Sequence, residues 1–298
     1  MPQLRYIITG ASTGFGALAA RALAKEGHIV FAGMYSHDGN TTQYESDASS
    51  FAAAEKADLR TVLLDLLSQD SVDAAVKHVM DAVGGIDVVV HNAGHMNYGP
   101  AESFTSEQML RLYNVNVVGC QRLNIAVLPH MRQARKGHLV WIGSSSTFGA
   151  NSPYLGAYFA AKAAQDNLAV SYAHELTAWG IETTIVSPGV FTSDTNHFTD
   201  AMKPGRAEVA QEYEDGPTKG LGEMTLTGTG TLPPPGAHPR VVAEALVELS
   251  RLPRGKMPFR MHPDPTMGGG SAAAAVIDNN KFNQYRRMGL LKYLDVWQ

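Results

Sequence analysis

The sequence predicts a doubly wound α/β fold, a parallel sheet with helices on both faces. Three observations carry this. Short apolar runs alternate with helical phasing through the first 190 residues, those runs are apolar nearly throughout, and a glycine-rich turn joins the first run to the first helix. A strand that is apolar at successive positions buries both of its faces, as strands of a parallel sheet do. Helices alternating with such strands are the crossovers that parallel neighbours require.

Taken in order, the strands are LRYIIT (4–9), HIVFAGM (28–34), RTVLLD (60–65), IDVVVHN (86–92), GHLVWIGS (137–144) and IETTIVS (181–187). Helical spacing of apolar residues covers 14–26, 47–56, 69–83, 105–132 and 154–179. Regularity breaks after Pro188: residues 189–237 carry polar patches and the run GTGTLPPPG. An excursion of that length in a compact domain reads as a lid or binding loop. HPRVVAEALVELSRL (238–252) restores helical phasing, KMPFRM (256–261) adds an edge strand, and GGGSAAAAV (268–276) reads as a hinge before a short amphipathic ending. The reading is a single domain over 1–262, with 263–298 an extension packing on that domain or on a neighbouring subunit.

Composition narrows the function classes. With 298 residues, 44% hydrophobic and 17% charged, the chain can bury a sizeable core. A formal charge of −4 and the absence of a basic cluster give no footprint for nucleic acid. Cys120 is the only cysteine, which excludes an intrachain disulfide and suggests a packed thiol. No run approaches 18 apolar residues, and the N-terminus enters a strand pattern directly, so no membrane partner and a soluble, cytoplasmic protein are expected. His37 and His197 lack partners at metal-ligand spacing, and no metal centre is expected.

Two motifs carry chemistry. ITGASTGFGALAARALAKEG (8–27) sets Gly10, Gly14 and Gly16 between a strand and an amphipathic helix. Glycines let the backbone approach a ligand, and the free N–H groups and dipole of the helix start suit a pyrophosphate. The lysine of a nucleoside-triphosphate loop is absent, favouring a dinucleotide. The second motif is AYFAAKAAQ (157–165), where Tyr158 and Lys162 are one helical turn apart on one face. A phenol has an ordinary pKa near 10, which a neighbouring cation lowers. The pair is a proton donor tuned toward neutral pH, or a tyrosine packed near a lysine.

TGxxxGxG followed some 140 residues later by YxxxK resembles the short-chain dehydrogenase/reductase family over roughly residues 4–260. HNAG (91–94), YNVNVVG (113–119), GSSS (143–146), SPG (187–189) and LDL (64–66) match further family segments, and the C-terminal tail resembles steroid- and retinol-dehydrogenase-like carbonyl reductases. The resemblance implies a Rossmann fold and a hydride exchanged between NAD(P)(H) and a ketone, aldehyde or secondary alcohol. Tyr158 would be the general acid/base, Lys162 would lower its pKa and bind the nicotinamide ribose, and Asn116 would extend a proton relay through water. Ser145, thirteen residues before the tyrosine, would hold the substrate oxygen, with Ser144 and Ser146 as near misses. Cofactor contacts would come from Gly10, Ser12, Thr13, Gly14, Phe15, Gly16, Tyr35, Asp65, Leu66, Asn92, Ala93, Gly94, Tyr158, Lys162, Pro188, Gly189 and Val190. Thr192 or Ser193 would touch the carboxamide, with Thr192 favoured.

His91 replaces the family's first asparagine in NNAG and reads as a sheet-end histidine bonding locally, while His95 and Met96 line the pocket or pack as loop. Met34 stands where NAD-preferring members carry an acidic residue. Tyr35 and Thr13 stand where NADP-preferring ones carry a basic residue, and Asp38 lies downstream. NADP(H) is therefore favoured, with NAD(H) the alternative. A non-catalytic NAD(P)-sensing protein on the same fold is the rival function, although such relatives typically lose the tyrosine or lysine. The sugar-nucleotide epimerase branch has a differently spaced glycine turn. The resemblance implies a homodimer or homotetramer, commonly through the helices near 105–132 and 154–179.

Overall fold

The computed structural model describes residues 2–35, 41–149, 151–192 and 195–291. The parallel sheet begins with β1 (Arg5–Ile8), which runs through the glycine turn into α1 (Gly14–Lys25). Then come β2 (Ile29–Met34), α2 (Thr42–Glu55), β3 (Leu59–Leu63), α3 (Gln69–Val83) and β4 (Val88–His91). The second half continues with α4 (Ser106–Tyr113), α5 (Gly119–Ala134), β5 (Gly137–Ile142), α6 (Gly156–Thr177) and β6 (Ile181–Val186). It ends with α7 (Ala207–Asp215), α8 (Leu221–Thr231), α9 (Arg240–Ser250), β7 (Arg260–Met261) and α10 (Gly270–Arg287). Strand order is β3-β2-β1-β4-β5-β6-β7, with every neighbouring pair parallel.

The order places a switch point between β1 and β4, where crossovers leave in opposite directions and ligands of open α/β sheets bind. The continuous apolar strands are explained by two cores. Ile7, Phe31, Val89, Leu139, Trp141 and Ile185 pack against α3, α5 and α6. Their alternate neighbours Ile8, Val30, Val90, Val140, Ile142 and Val186 pack against α1, α2 and α9. The central strands β1, β2, β4, β5 and β6 thus meet helix on both faces.

Three elements differ from expectation. The single helix expected over 105–132 is interrupted by a π turn at Asn114–Val118, while Thr105 and Gln108 close a capping box at the start of α4. The excursion 189–237 contains two helices, α7 and α8. The segment expected to be a hinge at 268–276 becomes the start of α10, because its alanine run is strongly helix-forming and Gly269, at φ 76°, supplies the turn before it. α10 packs back on the same domain: Arg260 on β7 pairs with Asp278 at 2.7 Å and with Asp166 of α6 at 2.6 Å, and Tyr285 meets His174 edge-on at 4.5 Å.

Candidate active site

A cavity of about 490 Å³ opens along the carboxyl ends of β1, β2, β3 and β4. Gly10, Ser12, Thr13, Gly14 and Phe15 form one side, Tyr35, Asp65 and Leu66 one end, and Asn92, Ala93 and Gly94 the floor. Thr13 makes no side-chain cap and the first turn of α1 holds no acid, so its N–H groups and positive dipole end stay free for an anion. Gly14 has φ 54° and open space where a Cβ would stand. These features, with the apolar Leu66 and Ala93, fit a dinucleotide with its pyrophosphate on α1. Gly16 serves differently from Gly14: a Cβ there would collide with the Gly10 carbonyl and the Asn92 amide, so its role is close packing and it lines neither cavity. Asn92 donates to the Thr9 and Gly10 carbonyls at 2.9 and 3.0 Å, binding the end of β4 to the turn. Met34 is buried at the end of β2; His37, Asp38 and Ser193 lie outside the described residues.

A second cavity of about 250 Å³ adjoins the first, sharing Phe15, Asn92, Gly94, Met96 and His197 with its walls. Tyr158, Lys162, the three serines 144–146, Pro188, Gly189 and Val190 line it, among mostly apolar side chains. Burial pushes the Tyr158 phenol up to about 12, opposed by a hydrogen bond with the Ser144 side chain. The Ser144 hydroxyl also pairs with Ser146 Oγ at 2.8 Å and accepts from Ser146 N at 3.2 Å. Ser145, thirteen residues before the tyrosine, lines the same cavity and donates its backbone N–H to Pro188 O at 3.0 Å. Lys162 is buried, and its ammonium donates to Ile142 O at 2.8 Å and Gln165 Oε1 at 3.0 Å. Desolvation pulls it down to about 8. The acidified phenol expected from the i, i+4 spacing is thus not the arrangement found: burial governs both groups, and the ammonium turns toward β5 and Gln165.

Asn116 is fully buried in the π turn; its amide donates to His95 O at 2.9 Å and Leu112 O at 2.8 Å, and accepts from His95 N at 3.2 Å. Those bonds occupy the side chain expected to hold water, and Asn116 lines neither cavity. π turns of this kind recur at functional sites. Thr192 lines neither cavity, whereas Thr195 lines the second, its hydroxyl buried without a partner among the described residues. His91 bonds Asn124 at 2.8 Å under Trp141, and burial pulls it down to about 4, a neutral packing histidine.

Several lining residues had no signal in the sequence. His197, pulled down to about 4 by burial, walls both cavities beside Phe15. Asp264, Thr266 and Gly268 reach the second cavity from beyond β7. Among the described residues no group of three or more histidine, cysteine or acidic side chains could hold a metal. Nor is any helix among them long and apolar enough to cross a membrane.

The sheet order, the helix-start groove and the tyrosine–lysine helix define an NAD(P)-type dehydrogenase architecture, and the chain belongs to the short-chain dehydrogenase family, whose model matches residues 5–204. It is similar to 3-ketodihydrosphingosine reductase of Bacteroides thetaiotaomicron, 30% identical over 264 residues that cover 89% of this chain and 88% of that protein. It is also similar to retinol dehydrogenase 7 of Rattus norvegicus, 32% identical over 72% of this chain and 66% of that protein. Among solved structures, alcohol dehydrogenase of the archaeon Thermococcus sibiricus, complexed with 5-hydroxy-NADP, superposes with a TM-score of 0.68 at 25% identity, covering 88% of this chain and 96% of that one.

Proposed function

We propose that the protein is a cytoplasmic, NADP(H)-preferring oxidoreductase that reduces a ketone or aldehyde, or oxidises the corresponding secondary alcohol. The observation that carries this is the meeting of Tyr158, Ser144 and Lys162 in a cavity continuous with a dinucleotide-sized groove. Ser12, Thr13, Gly14 and Phe15 would hold the pyrophosphate, Asp65 and Leu66 the adenine, and Gly94, Pro188, Gly189, Val190 and Thr195 the nicotinamide side. The bound cofactor would supply or accept the hydride.

The phenol, protonated at neutral pH as an ordinary phenol is, is a proton donor to a carbonyl oxygen held by the Ser144 hydroxyl. The buried ammonium of Lys162 offsets the negative charge left on Tyr158, in a site whose low dielectric strengthens the attraction. Phe159, Leu155, Phe191, Phe198 and Met96 exclude water and favour an apolar substrate. Similarity to a 3-ketodihydrosphingosine reductase supports a ketone. The described end of β2 carries no carboxylate to repel a 2′-phosphate, which supports NADP(H). Self-association as a homodimer or homotetramer completes the proposal and is read by light scattering.

The test is a panel of apolar ketones, aldehydes and alcohols assayed with NADPH and NADH. Turnover with a lower KM for NADPH is expected, and Tyr158→Phe removes it while NADPH still binds. Undiminished turnover in that variant would refute the mechanism.

A further inference from the structure

We propose that Gln165 is a positioning residue for Lys162: its side-chain carbonyl holds the ammonium, and its amide ties that ammonium through the Cys120 thiol to the turn carrying Asn116. Gln165 sits three residues beyond Lys162 on α6, so the two share a face. Both are buried, at 1% and 3% exposure. An apolar residue would fill such a slot without needing partners, whereas a buried amide must find them.

The partners form a directed chain. Lys162 Nζ donates to Gln165 Oε1 at 3.0 Å, Gln165 Nε2 donates to Cys120 Sγ at 3.4 Å, and that thiol donates to Asn116 O at 3.4 Å. Every donor points the same way, an order in which successive bonds polarise one another. An ammonium has three donors. Among the described residues Ile142 O takes one and Gln165 another, leaving a single N–H for the groove. Nζ stands 3.6 Å from where a Cβ on Gly94 would be, so that remaining donor is beside the cavity floor. Gln165 therefore decides which way the lysine points, and does so without lining either cavity.

Among the described residues, the titratable groups around Lys162 include Tyr158 on its own helix, Cys120 from α5 and His197 from the segment after β6, with Asp264 on the wall of the same cavity. Tyr158, Cys120 and His197 are all neutral near pH 7, with the thiol pushed up to about 11. Gln165 is then the acceptor that favours the charged lysine, along with the Ile142 carbonyl.

The catalytic consequence rests on the reductase reading; the positioning itself does not. Gln165→Met removes carbonyl and amide at similar length, while Gln165→Glu keeps an acceptor on the ammonium and loses the link to Cys120. NMR of protein labelled with ε-¹³C-lysine reads the Lys162 titration directly. Its midpoint is expected to fall by about half a unit or more in Gln165→Met and to rise in Gln165→Glu. With a turned-over carbonyl substrate, Gln165→Met lowers kcat about tenfold with little change in KM and moves the alkaline limb of the pH profile downward; Gln165→Glu moves the limb upward. Midpoints unmoved in both variants overturn the proposal, and if Gln165→Met fails to fold, Gln165→Glu decides alone. A wild-type protein that turns over no carbonyl compound removes the reductase reading, while the NMR titration still decides the role of Gln165.

Discussion

Replacing Lys162 by methionine separates what this residue does for function from what it does to stability. The folded protein holds Lys162 at about 8 against an ordinary 10.5, chiefly through desolvation. Below pH 8 the lysine is charged in both folded and unfolded chains, and folding bears the full penalty of burying the charge. Between about 8 and 10.5 the unfolded chain binds more protons than the folded one, so stability contributed by this group rises with pH. The difference of about 2.5 units corresponds to about 3 kcal/mol across that window. Methionine has no proton to exchange. Urea unfolding of wild type and Lys162→Met at pH 7, 8.5 and 10 should therefore show the wild type gaining up to about 3 kcal/mol relative to the variant as pH rises. Turnover should be lost in the variant at every pH. A stability difference that stays flat from pH 7 to 10 would refute the buried-ammonium argument.

Other outcomes follow from the same geometry. Ser144→Ala should lower kcat by about a hundredfold or more, whereas Ser145→Ala, whose backbone bond to Pro188 survives the change, should lower it far less; steady-state kinetics with one ketone compares them. Arg260→Met leaves Asp166 and Asp278 as buried carboxylates facing each other across an apolar side chain, and should cost about 3–5 kcal/mol in urea unfolding. Adding Asp166→Asn and Asp278→Asn to that variant should recover part of the loss. Tyr158→Phe, with turnover gone and NADPH binding intact, is the decisive functional variant.

Much of the site was legible because it depends on local spacing. A turn of helix separates Tyr158 from Lys162 whatever surrounds them, and a glycine turn between strand and helix leaves free N–H groups that suit an anion. Serines 144–146 were picked out as a group, and all three line the second cavity because they follow β5 at its carboxyl end. Asn116 was picked out, but not the π turn that buries it or the backbone partners that occupy its amide. The run GGGSAAAAV was misjudged because its glycines outweighed its alanines; packing of α10 on Arg260 and His174 settles the balance toward helix.

By itself the sequence determined the parallel order of strand and helix, the glycine-rich turn and the helix bearing the tyrosine and lysine, since each follows from periodicity or from neighbours a few residues apart. Only the tertiary structure decided where the ammonium points and which distant residues, His197, Thr195 and Asp264 among them, wall the cavity. Those depend on desolvation and on contacts between segments far apart in the chain, and burial, which raises the phenol and lowers the lysine, is a property no local spacing encodes.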